Sequence, residues 1–212
     1  MSVFVKIGGL VDPASVELVP EGGAAGFHVG APNSPRNLDL AAASRLAGHV
    51  RSGAEIWVVT KDPDASEVRR LFDELGADRI LVYGTVPADL TFLETHHLVP
   101  SLSIAAAQPG EVPRVPPPEV HPILQLDSSP DALRNGSAET IDWSVAHSLV
   151  EAHPGRKIVL AGGLEPSNIA SAIAGVAPWG VDVTLGVERR PGEIDPERLA
   201  AFLAALEPGA AP

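Results

Sequence analysis

Four short stretches hold most of the residues able to do chemistry. "ILQLDSS" (123–129) ends an apolar run on Asp127 and passes into a polar loop. A carboxyl group there can act as general acid or base, or simply cap the turn that follows. "PNSPRNLD" (32–39) carries Arg36. Its planar fork can grip a carboxylate or phosphate, or sit solvated in the loop. "VLAGGLEPSNIASAI" (159–173) passes through Gly162 and Gly163 into a helix expected to start near Pro166. Glycines let the backbone approach a ligand closely, and a helix N-terminus offers N–H groups and a positive dipole end. "GVDVTLGVERRPGEID" (180–195) turns at Gly186 in a similar way. Either glycine turn alone could be a tight connection without a ligand; together they favour a phosphate site.

Two further residues are candidate bases. His28, in "GFHVG", has an unperturbed pKa of ~6.5 that suits the task. Lys6, in "VFVKIGGLVDP" (3–13), is a charge inside an apolar strand. A desolvated lysine can lose its proton readily enough to act as a base. Alternate strand residues share a face, which puts Lys6 and Gly8 together, and likewise Asp182 and Thr184. A buried Lys6–Asp182 ion pair is therefore expected, because an unpaired buried charge is expensive. His96 and His97 precede strand five, at the far end from these groups, and no metal site is expected there.

These residues need a scaffold. Strands are expected at Phe4–Gly8, Ala25–Val29, Glu55–Val59, Arg79–Tyr83, Val99–Ile104, Pro122–Leu126, Lys157–Ala161 and Gly180–Thr184. Amphipathic helical patterns cover Leu40–Val50, Ala65–Leu75, Trp143–Ala152, Ser167–Val176 and Pro196–Leu206, with weaker ones after Asp12 and Val86. Asp39 and Asp195 stand where N-caps belong, and Pro166 and Pro196 at first helical turns. Eight strands alternating with helices give repeated βα units and a parallel sheet, either open and doubly wound or closed. The count of eight favours a closed (β/α)8 barrel, whose active site lies at the carboxyl ends of its strands. "QPGEVPRVPPPEV" (108–120) is too rich in proline for a helix, so helix five is expected to be an irregular loop. The barrel is expected to fill residues 1–206 as one domain, with 207–212 a frayed tail.

Composition narrows the function class. The chain has 212 residues, 45% hydrophobic and 20% charged, with a net charge of −12. That charge argues against nucleic-acid partners. No run is long enough to span a bilayer and no leader is visible, so a cytoplasmic protein with no membrane partner is expected. The absence of cysteine rules out disulfides, thiolate metal sites and a cysteine base.

Five motifs, in order along nearly the whole chain, resemble those of the phosphoribosylanthranilate isomerase family of tryptophan biosynthesis. "KIGGL" resembles its first-strand Lys-Ile-Cys-Gly-Leu, and "GFHVGAPNSPR" its Gly-Phe-…-Ser-Pro-Arg loop. "ETIDW" is similar to its Thr-Phe-Asp-Trp segment, and "LAGGLEPSNI" and "GVDVTLGVE…PG…D" to its two phosphate loops. The resemblance implies a TIM barrel and a cofactor-free Amadori rearrangement of N-(5-phosphoribosyl)anthranilate, an aldose-to-ketose isomerisation. It implies Asp127 as general acid, Arg36 on the anthranilate carboxylate, Tyr83 facing the substrate, and Gly162, Gly163, Leu185 and Gly186 on the phosphate. It also exposes departures. Gly8 replaces the family's general-base cysteine, leaving Lys6 and His28 as substitute bases. Tyr83 replaces a histidine, Thr184-Leu185 replace two serines, and "NGSAE" puts Glu139 in a normally glycine-rich run. The implied partner is a small phosphorylated substrate, with no metal, and the chain is expected as a monomer or weak homodimer. The alternatives are action on another phosphorylated sugar or aromatic amine, or catalytically impaired phosphate-ligand binding.

Overall fold

The computed structural model describes residues 3–90, 97–104, 115–128 and 140–207. Among these, eight principal strands follow one another: β1 (Phe4–Ile7), β2 (Ala24–Val29), β3 (Glu55–Lys61), β4 (Arg79–Tyr83), β5 (Leu98–Ser103), β6 (Ile123–Asp127), β7 (Lys157–Leu160) and β8 (Gly180–Val183). Each pairs in parallel with the next, and β1 pairs with both β8 and β2. The sheet therefore closes into the expected (β/α)8 barrel. The described helices are α1 (Pro13–Val16), α2 (Leu40–Ala47), α3 (Ala65–Leu75), α4 (Trp143–Ala152), α5 (Ile169–Val176) and α6 (Pro196–Ala204).

Local sequence explains these elements. In α3, the Asp64 side chain accepts the Glu67 N–H, Gly76 ends the helix at φ 61°, and Val68, Leu71 and Leu75 are buried. The spacing of three and four residues puts those side chains on one face toward the sheet. Asp39 and Asp195 cap α2 and α6 as expected. Inside the barrel, Phe4 stacks on Trp179 at 4.6 Å and leans on Trp57 at 5.7 Å, filling the amino-terminal end. Above this plug the interior becomes polar. Lys6 and Asp182 are direct partners in the β1–β8 register. Lys6 Nζ donates to Asp182 Oδ2 at 2.7 Å, and both side chains are buried. Gly26 leaves room for the lysine, since a Cβ there would stand 3.0 Å from Nζ.

Several expected elements differ. α5 starts at Ile169, not at Ser167, and Pro166 lies in the preceding turn. Asn168 causes the delay: its Nδ2 donates to the Gly163 carbonyl and its Oδ1 accepts the Glu165 N–H, holding residues 163–168 as a loop. The weak helix after Asp12 is one turn, capped by that aspartate. β3 extends two residues past its expected end, to Lys61. A two-residue strand, Asn37–Leu38, runs beside β2, and Glu188–Arg190 pairs with Glu193–Ile194; neither was apparent in the sequence. Of the proline-rich stretch 108–120, residues 115–120 carry no helix, and the rest lies outside the described residues. So do Glu139, His96, the tail from 208, and part of the pattern after Val86.

Candidate active site

A cavity of ≈ 320 Å³ opens at the carboxyl ends of the strands. Its walls include every sequence-predicted site residue except Gly8, which comes after the lining residue Lys6, just past the end of β1.

Asp127, the last residue of β6, is buried. Its Oδ2 accepts from the Tyr83 hydroxyl at 2.5 Å, and its Oδ1 from the Ser128 N–H at 2.6 Å. Gln125, two residues earlier on the same strand face, donates to the Tyr83 hydroxyl at 2.9 Å. Burial pushes the Asp127 carboxyl up from its ordinary 3.8 to about 6, against the downward pull of the Tyr83 and Ser128 bonds. A carboxyl poised there carries protons near neutral pH, the property a general acid needs. Burial, with the nearby Asp127 charge, pushes the Tyr83 hydroxyl well up, so it remains a donor. Tyr83 thus lines the cavity, but its hydroxyl is taken by Asp127.

Two loops meet beside this carboxyl, where a Cβ on Gly162 would stand 3.0 Å from the Ser128 nitrogen. Gly162 and Gly163 adopt φ of +86° and +62°, which favours glycine. Leu185 and Gly186 open a short 3₁₀ turn closed by the Val187 N–H on the Thr184 carbonyl at 3.3 Å. A Cβ on Gly186 would run into the Leu164 carbonyl, so only glycine lets the two loops touch. Asn168, also in the cavity wall, donates to the Gly163 carbonyl at 2.8 Å and so engages that oxygen. Gly162, Gly163, Leu185, Gly186 and Asn168, the last just before α5, thus line one cavity; glycine turns and helix N-termini are settings that favour anions.

The remaining candidates are rearranged by buried partners. Arg36 reaches the cavity wall, but its Nε donates to Glu188 Oε1 at 2.6 Å and its Nη2 bonds Oε2. It is a clamped arginine, not a free one. His28 also lines the cavity rather than facing the helix layer, with Nδ1 2.9 Å from Ser34 Oγ. Burial, with Lys6 and Arg36 nearby, lowers its pKa to about 3. An imidazole that weakly basic is a poor proton acceptor. Lys6 Nζ is committed to Asp182 Oδ2, the buried ion pair expected from the strand register. At Gly8 a Cβ would run into Thr184 Oγ1 and stand 3.2 Å from Asp182 Oδ1 and 3.3 Å from Lys6 Nζ. Among the described residues no group of three His, Asp or Glu side chains could hold a metal ion. His97 packs edge-on to Phe72.

Sequence reading passed over Gln125, Ser128, Asn168 and Glu188. Gln125 had a signal, as a polar residue on the same inward face as Asp127. Glu188 had none, since it meets Arg36 across 152 positions.

Residues 5–205 match the family model described as N-(5'phosphoribosyl)anthranilate (PRA) isomerase. The N-(5'-phosphoribosyl)anthranilate isomerase of Afipia carboxidovorans is 37% identical over 213 residues, covering 97% of this chain and 89% of that protein. That of a Chelativorans species is 33% identical, covering 97% and 96%. Among solved structures, the phosphoribosyl anthranilate isomerase of Thermus thermophilus superposes with a TM-score of 0.77 at 26% identity, covering 96% of this chain and 98% of that chain.

Proposed function

The chain belongs to the N-(5'-phosphoribosyl)anthranilate isomerase family, and we propose that Asp127 and the two glycine loops carry that family's reaction in this cavity. The activity is an Amadori rearrangement, an aldose-to-ketose isomerisation within tryptophan biosynthesis. Asp127 gives its proton to the ribose ring oxygen. The C1–O bond breaks, and the anthranilate nitrogen lone pair completes an iminium. Loss of the C2 proton then gives an enolamine, which becomes the ketose as C1 gains a proton and the C2 hydroxyl loses one. The phosphate sits on the N–H groups around Gly163, Leu185 and Gly186 and on the dipole of α5. Arg36, oriented by Glu188, turns its remaining edge to the anthranilate carboxylate. Tyr83 holds Asp127 in place, and its ring forms part of the wall.

The observation that carries this reading is the Asp127 carboxyl, raised to about 6 chiefly by burial, in one cavity with the paired glycine loops. No described helix is long and apolar enough to cross a membrane. The reading makes the protein a cytoplasmic monomer or weak homodimer acting on a small phosphorylated substrate, with no nucleic-acid partner. The test is conversion of N-(5-phosphoribosyl)anthranilate, followed by NMR as the ketose C1 methylene appears. The unaltered protein turns over, and Asp127→Asn loses ~10²–10⁴-fold in kcat. An Asp127→Asn variant as active as the parent sinks the assignment.

A further inference from the structure

The cavity has an acid but lacks the side chain at position 8 that removes the C2 proton in this family's reaction. The floor beneath that position holds an unused group. Asp182 Oδ1 is buried with no hydrogen-bond partner, although Oδ2 of the same carboxylate is paired with Lys6 at 2.7 Å. The side chain is 7% exposed and belongs to the cavity wall. Oδ1 also points into the right place, 3.2 Å from where a Cβ on Gly8 would stand. A buried carboxylate oxygen without a donor carries an uncompensated desolvation penalty, so it needs a reason to persist. A reactive C–H brought to that oxygen supplies one.

We infer that Asp182 serves as the general base in place of the missing side chain at position 8, accepting the substrate's C2 proton on Oδ1. This rests on the isomerase reading above. The C2–H bond breaks, its electron pair forms the C1=C2 bond, and the iminium nitrogen is neutralised. Asp182, now a carboxylic acid, returns its proton to C1 as the enolamine becomes the ketose, and the proton lost by the C2 hydroxyl passes to the Asp127 carboxylate left by the first step, restoring both groups. Lys6 stays on Oδ2 throughout and holds the carboxylate in position. The Thr184 hydroxyl, which occupies the space over Gly8, must turn aside as the substrate enters. Charged and titratable groups around Asp182 come from several strands: Lys6 on β1, Tyr83 on β4 and Asp127 on β6, the last two raised chiefly by burial and further by the Asp182 charge.

The test is Asp182→Asn, near isosteric, assayed with ordinary substrate and with substrate deuterated at C2. The expected result is a kcat lower by ~10²–10⁴-fold, KM within about threefold of the parent (a role in chemistry rather than binding), and a larger primary isotope effect. Adding Gly8→Cys and Thr184→Ser to that variant supplies a thiolate over the same floor; serine has one γ atom and can turn away. Turnover should rise at least ~10-fold, with a new pH limb near the ordinary thiol range of ~8.5. Where the amide disturbs the fold, Lys6→Met/Asp182→Leu removes both charges together and gives the same reading of kcat. Asp182→Asn or that double variant turning over within about threefold of the parent overturns the assignment while leaving the isomerase reading intact. No turnover by the unaltered protein overturns the isomerase reading itself.

Discussion

Replacing Asp127 by asparagine should remove activity and add stability, because the same burial produces both effects. The carboxyl releases its proton near 6 instead of 3.8. Between those values the folded state holds more protons than the unfolded one, so stability falls as pH rises through the window and stays lower above it. Once the group is ionised, the folded state has lost about 3 kcal/mol. Asparagine cannot ionise and escapes this cost. Its carbonyl can still accept the Ser128 N–H, and its amide can donate to the Tyr83 oxygen. The displaced Tyr83 proton has Ser101 within reach. At pH 8 the variant should therefore resist urea better by about 2–3 kcal/mol, melting roughly 5–10 °C higher. At pH 4 the two proteins should differ by less than about 0.5 kcal/mol. Paired urea titrations at the two pH values decide it. A variant no more stable than the parent at pH 8, or equally more stable at both, refutes the argument that burial raises this carboxyl.

Other outcomes follow from neighbouring contacts. Lys6→Met strands the buried Asp182 charge and should cost about 3–5 kcal/mol in urea unfolding, most of it recovered in Lys6→Met/Asp182→Leu; a single variant costing under about 1 kcal/mol contradicts this. His28 is held neutral down to about pH 3, so the unfolded chain takes up its proton first. Its contribution is complete above 6.5 and lost as pH falls toward 3, on the order of 5 kcal/mol in all. His28→Gln should flatten that acid limb, and an unchanged limb counts against it. Gly186→Ala pushes the Leu164 carbonyl and should raise KM by ~10–100-fold through lost charge-assisted bonds, with kcat changed far less; a normal KM argues against a phosphate there.

Some of this was written plainly in the sequence. Parallel strands are buried on both faces and read as apolar runs, which is why the barrel strands could be located. The Lys6–Asp182 pair followed from alternation along two strands and from the closure that makes them neighbours. Other features needed three dimensions. The Tyr83–Asp127–Gln125 chain joins β4 to β6, and nothing in "VYGT" says its hydroxyl turns to an aspartate rather than to a ligand. His28 was assigned from an unperturbed pKa, but burial beside two cations decides its chemistry. Arg36 looked free because Glu188, its clamp, comes from a hairpin that short polar segments do not announce. Pro166 suggested an earlier helix start, and the side chain of Asn168 overruled it.

The Thr184 hydroxyl over Gly8 also ties two positions into one unit. A Cβ at position 8 would run into Thr184 Oγ1, so any side chain added there requires that hydroxyl to turn or to go. Substitutions at 8 and 184 should therefore fail to add: the effect of filling position 8 depends on which residue stands at 184, as expected for side chains in direct contact. The top of the first strand and the turn after the last one vary together, and a change at either is read through the other.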